Sequence, residues 1–81
     1  MNFQSLKDYL ERMGCTIDHY RDKQHIGSNP ITGKSCIIED QPIYTQIALI
    51  HYFHTLGVSP PKYLRKKYYD LIEDIKNSLQ L

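Results

Sequence analysis

The stretch from Ile43 to Pro61, IYTQIALIHYFHTLGVSPP, constrains the fold more than any other part of the chain. Ile43, Ile47, Ile50, Phe53 and Leu56 recur at helical spacing, and Ala48, Leu49 and Tyr52 fill most of the remaining circumference. This predicts a helix that is apolar almost all round, and such a helix belongs in the middle of a domain. Gly57 suits the left-handed conformation that ends a helix. Ser59 suits the cap of the next one, and Pro60 its first turn, where no N–H is needed. The expected unit is helix, short turn, helix.

The chain has 81 residues, which supports one domain spanning residues 1–81. A chain of this size buries only about 60% of its unfolded surface, so a small core completed by a partner is a real option. Ten Lys or Arg stand against nine Asp or Glu, a formal net charge of +1. That leaves no global field to draw in nucleic acid or an anionic membrane, and any such binding must come from a local patch. Apolar residues at 41% and charged residues at 23% exclude a disordered chain. No apolar run reaches the ~18 residues that cross a bilayer, and MNFQSLKDYLERM lacks a signal-peptide core. A cytoplasmic protein without membrane contact is expected, with Cys15 and Cys36 as reduced thiols.

Phe3, Leu6, Leu10 and Met13 mark one face of a first amphipathic helix over residues 3–13, with Asn2 as its cap and Gly14 as its stop. From Cys15 the period becomes two. Cys15, Ile17 and His19 lie on one side and Thr16, Asp18 and Tyr20 on the other, the pattern of a half-buried strand. Arg21-Asp22-Lys23-Gln24 reads as a hairpin turn. His25-Ile26 begins a second strand that Gly27-Ser28-Asn29-Pro30 should cut short, and Thr32-Gly33 is another breaker. Ser35–Glu39 is a third strand. After the central helix, Leu64, Tyr68, Leu71, Ile72, Ile75 and Leu79 form a regular stripe on a helix of about five turns. The predicted fold is α+β: a helix, three short antiparallel strands, then two helices packed on one face of the sheet.

The last helix carries Lys62, Arg65, Lys66 and Lys67 in its first half and Asp70, Glu73 and Asp74 in its second. That polarity opposes the helix macrodipole, which favours acids early and cations late by about 0.3–1 kcal/mol each. Local stability therefore does not account for it. A cationic helix start after a tight turn is where a helix-turn-helix protein places its recognition helix, and Tyr63 beside it offers a ring for stacking on bases. The alternative is a solvated face, with Lys66 and Asp70 as an i, i+4 pair.

His25, in the predicted hairpin with Asp22 and Glu39 as candidate neighbours, is the best placed group for acid–base work. The alternative is an exposed edge-strand histidine. The segment Gly27 to Ser35 has the outline of a phosphate-binding loop but fails. Five residues separate its glycines where the motif has four, Pro30 removes an N–H, and a strand follows in place of a helix. Cys15, His19, His25 and Cys36 match no zinc-ligand spacing, and His51 with His54 supplies too few ligands. No metal or other cofactor is expected.

From Phe3 to Ser59 the succession of amphipathic helix, Gly14, strand, His25, Pro30, Gly33, apolar strand and a helix ending in Gly57-Val58-Ser59 resembles the HicA-type toxins of bacterial toxin–antitoxin pairs. The resemblance implies a fold like that of double-stranded-RNA-binding domains, with ribonuclease activity carried by a histidine of the second strand, here His25. Lys23-Gln24 and Cys15 stand where that family has Gly-Ser and an aromatic residue.

These observations lead to a small domain that contacts DNA or RNA through Lys62, Tyr63, Arg65, Lys66 and Lys67. Two alternatives stand beside it: a HicA-like ribonuclease using His25, and a protein-interaction module or homodimer formed through the tyrosine-rich last two helices.

Overall fold

The computed structural model describes residues 1–79. Its elements are α1 (Phe3–Arg12), β1 (Thr16–Arg21), β2 (Gln24–Asn29), β3 (Lys34–Glu39), α2 (Gln46–Leu56), a 3-10 turn (Lys62–Leu64) and α3 (Arg65–Leu79). This is the α+β order expected. The strands are antiparallel in the order β1-β2-β3.

Local signals set the first half of the chain. The Asn2 side chain accepts from the Ser5 amide at 2.9 Å, satisfying one of the orphan donors of α1. Gly14, at φ +94°, turns the chain out of the helix. Cys15, just before β1, and Ile17 face the helices, while Thr16, Asp18 and Tyr20 are exposed, as is His19, which the alternation placed on the inner side. The hairpin turns on Asp22 and Lys23, with Arg21 opposite Gln24. Asp22 takes φ +50°, a conformation Asp reaches more readily than most residues.

The second strand corrects the sequence reading. It does not stop at Gly27 but runs the full six residues to Asn29, paired on both sides. Gly27 is there for packing, not for a turn. A Cβ at this position would lie 2.8 Å from Ile38 Cδ1, 3.3 Å from Ile17 Cδ1 and 3.6 Å from Leu56 Cδ1. The missing side chain lets α2 close onto the middle of the sheet.

The central helix is also shorter than its apolar run. It starts at Gln46, with Thr45 Oγ1 accepting from the Ala48 amide at 3.1 Å. Ile43 and Ile47, expected in the core, are 74% and 64% exposed. Leu49, Ile50, Tyr52, Phe53 and Leu56 are buried. The last turn of α2 ends on Gly57 at φ +69°. There the Asn29 amide donates to the Leu56 carbonyl at 2.8 Å and the Thr32 hydroxyl donates to it at 3.2 Å. Asn29 is 4% exposed, and its own Oδ1 accepts from the Ile31 amide at 3.0 Å. The β2–β3 connection thus caps the helix that lies on the sheet, giving a buried carbonyl the partner it needs.

Beyond Gly57 neither Ser59 nor Pro60 starts a helix. Pro61 holds the capping position of the 3-10 turn without a side-chain cap, and α3 follows at Arg65. Pro60 is fully buried, and the Ser59 carbonyl accepts from the Tyr9 hydroxyl at 2.6 Å.

Leu6, Leu10, Ile38, Phe53, Leu56 and Leu64 form the fully buried centre between α1, α2 and one face of the sheet. Cys15 and Cys36 are free thiols at its edge. Burial, with Cys15 adding to it, pushes the Cys36 thiol up to about 11, so it stays protonated and unreactive at neutral pH. The second sheet face leaves Tyr20 and Ile37 exposed.

The last helix departs from this scheme. Along its stripe, Leu64 is buried, Tyr68, Leu71 and Ile72 are half-buried, Ile75 is 48% exposed and Leu79 82%. Only the start of the helix rests on the domain, and the molecule is drawn out to 40 × 26 × 23 Å. No described helix is long and apolar enough to cross a membrane.

Candidate nucleic-acid interface

The geometry of the basic segment follows from one residue. Leu64 is fully buried and pins the 3-10 turn and the first residues of α3 to the core. The side chains around it are turned outward, and Lys62, Tyr63, Arg65, Lys66 and Lys67 are all exposed. All five predicted binding residues therefore lie on one exposed segment. No charged side chain among the described residues closes an ion pair within 4.0 Å, so the Lys66–Asp70 pair considered from the sequence does not form.

Tertiary packing adds a cation from elsewhere. Tyr9 on α1 reaches across to the carbonyl of Ser59 in the α2–α3 connection. Burial pushes its hydroxyl above the usual tyrosine value, and the guanidinium groups of Arg65 and Arg12 pull it back down. Arg12, at the end of α1, and Arg65, at the start of α3, thus both act electrostatically on the same phenol. On another side of α3, Lys34 lines an open groove with His54, Ser59, Tyr68 and Tyr69. Tyr68 is held there by its contact with His54, 3.4 Å from hydroxyl to Nδ1, and Tyr69 stands edge-on to it.

The cations are not matched by a recognition-helix pair. α2 carries no Lys, Arg, Asp or Glu and is spent on covering the sheet. Only the segment after the turn offers charge, and it changes sign along its length. Asp70, Glu73 and Asp74 are exposed in the second half of α3.

His25 sits elsewhere, on the helix-covered face of β2. It is half-buried, stacked on Phe3 with ring centroids 4.2 Å apart and edge-on to His19 at 5.4 Å. The carboxylates proposed as its neighbours are engaged otherwise or turned away. The Glu39 carboxylate accepts from the Gln24 side chain at 2.8 Å, and Asp22 meets His19 through its backbone carbonyl at 3.0 Å. Neither ring nitrogen of His25 has a hydrogen-bonding partner among the described side chains. His51 and His54 are exposed. No group of three or more His, Cys, Asp or Glu among the described residues is placed to hold a metal ion.

Two features were missed in the sequence. Arg12 had a weak signal, a basic residue in the last turn of α1, but nothing local tied it to residue 65. The clamp of Asn29 and Thr32 on Leu56 was hidden because both residues read as turn formers. Comparison with protein-family models, with curated proteins and with solved structures finds no match to this chain, so the chemistry of the segment rests on its own geometry.

Proposed function

We propose that this domain contacts the phosphate backbone of nucleic acid through Lys62, Arg65, Lys66 and Lys67, with Arg12 extending the surface and Tyr63 offering an exposed ring. The observation that carries the reading is the outward display of Lys62, Arg65, Lys66 and Lys67 around the fully buried Leu64. Phosphate contacts of this kind position a protein without reading sequence. A formal net charge of +1 makes the binding depend on this one area, so a few reversals remove it. Each phosphate neutralised adds about −0.9 to the log–log salt slope on duplex DNA and about −0.7 on single strands. The experiment is a salt titration of labelled DNA and RNA with the wild type, Arg12→Glu and the pair Lys66→Glu with Lys67→Glu. Binding that flattens in salt dependence with each variant supports the reading. Absence of retention by the wild type at low salt overturns it.

A second reading, the HicA-like ribonuclease, is favoured by the order helix, three antiparallel strands, helix, and by the place of His25 on the second strand. Phe3 over the ring weighs against it, since a general base must reach its proton. Cleavage of RNA by the wild type that is lost in a folded His25→Ala variant would establish it.

A further inference from the structure

A groove of about 540 Å³ runs along one side of α3. Its walls are Tyr63, Lys66, Lys67, Asp70, Leu71 and Asp74 of the terminal segment and Gln46 of α2. Lys66 and Lys67 stand at one end and Asp74 at the other, with Asp70 and Leu71 between them. Lys67 and Asp74 are seven positions apart, two helical turns on the same side, a separation of about 10.5 Å along the axis. This is the charge reversal that runs against the helix macrodipole and that local stability does not explain.

We infer that the groove is the interface of a homodimer in which two copies of α3 pack antiparallel about a two-fold axis beside Leu71. Three matches made by that one operation support it. Turning the helix end for end brings Lys67 of each copy to Asp74 of the other. It sets the half-buried Leu71 against its own equivalent. It also carries the exposed Tyr63 of one copy to the far end of its mate's helix, where Ile75 and Leu79 are 48% and 82% exposed. An isologous contact needs a self-complementary patch, and a segment with cations at its start and an acid at its far end pairs its two ends when reversed. The outward reach of α3, whose stripe loses its cover from Leu64 to Leu79, supplies apolar surface that the monomer leaves in water. Tyr63, Lys66 and Lys67 line this groove and also belong to the proposed phosphate surface, so the two contacts compete for them, while Arg12, Lys62 and Arg65 lie outside its lining.

The test is the mass of the full chain by light scattering and analytical ultracentrifugation over a range up to high-micromolar concentration. The wild type should move from monomer to dimer mass as concentration rises, and added salt should weaken the association. Lys67→Asp and Asp74→Lys should each raise the dissociation constant about tenfold, because each reversal turns two symmetry-related attractions into repulsions. The combined variant should return to the wild-type value. Leu71→Asp should be monomeric at every concentration, with far-UV circular dichroism confirming its fold. Both charge variants lie at exposed positions, so the test does not depend on the Leu71 variant folding. A wild type that stays monomeric throughout overturns the inference, leaving the groove to a different chain or to none. So does a dimer indifferent to the single reversals, which would place the contact on another surface, or a combined variant no tighter than the single ones. Nucleic-acid binding is read separately through Arg12→Glu, which lies outside the groove lining, because Lys67 belongs to both surfaces.

Discussion

Two neighbouring helices of similar length use their apolar residues in opposite ways. α2 buries Leu49, Ile50, Tyr52, Phe53 and Leu56 within 11 residues, while α3 spends 15 residues and buries none. The difference is not hydrophobic content alone. α2 is held at both ends by hydrogen bonds from outside its own backbone, from Thr45 at its start and from Asn29 and Thr32 at its finish. Among the described residues α3 is held near its start, through Leu64 and the contact of Tyr68 with His54. A stripe of leucines and isoleucines therefore makes a helix amphipathic without making it part of the core, and what decides is whether another element lies opposite. In this domain the sheet and α1 are used up by α2.

The contrast is broken most severely in the body. Phe53→Ala, at a fully buried position, should cost about 3–5 kcal/mol. Urea unfolding should show either that loss or no folded state at all. An effect below about 1 kcal/mol would mean that the body packs no better than the arm. Gly27→Val tests the close approach of α2 to the sheet. With Ile38 Cδ1 only 2.8 Å from the new Cβ, overpacking should cost about 1–3 kcal/mol. Asn29→Ala should lose a comparable 1–3 kcal/mol, roughly, because the Leu56 carbonyl loses a buried donor. Thermal melts of the two variants side by side would show whether the sheet or the connection does more to hold α2.

Alkaline pH gives a milder probe of the body. Burial pushes the Tyr44 hydroxyl from an ordinary 10.0 up to about 12, so the folded state favours the neutral phenol. The stabilisation is fully present below the unfolded value, and it should fade as pH rises from 10.0 towards about 12. Denaturation midpoints measured across that window should fall, and should fall less in Tyr44→Phe. Equal slopes in the two proteins would remove Tyr44 as the cause. The smallest effect belongs to the arm. Ile75→Ser, at a position already 48% exposed, should change the stability of the dilute monomer by no more than about 0.5 kcal/mol. A larger loss at low concentration would show that α3 is covered by its own chain.

Much of the fold was legible because short-range chemistry specified it. Asn2 and Gly14 mark the ends of α1, the period-two run from Cys15 marks β1, and Gly57 ends α2. The errors share one cause. Ile43 and Ile47 matched the helical period, and Gly27 looked like a breaker. Both readings treated a residue's own preference as the deciding term where a distant neighbour decided instead. At the candidate site, Lys62, Tyr63, Arg65, Lys66 and Lys67 could be found because they are nearly contiguous, and Leu64 among them gave the inward anchor. Arg12 could not be found, because the end of α1 meets the α2–α3 connection only through tertiary contacts such as the Tyr9 bond to Ser59 and the packing of Leu10 with Val58 and Leu64 in one core.

By itself the sequence determined the element order, the apolar character of the central helix and the reversal of charge along the last one, since propensity, periodicity and charge are properties of residues close together in the chain. Tertiary structure alone decided which apolar faces found a cover. Gly27 became a packing position because Leu56 descends on it, Asn29 became a cap because a helix ends above it, and Ile75 and Leu79 stayed in water because no element among the described residues lies over them. Burial is a relation between segments, and it exists only once their positions are set.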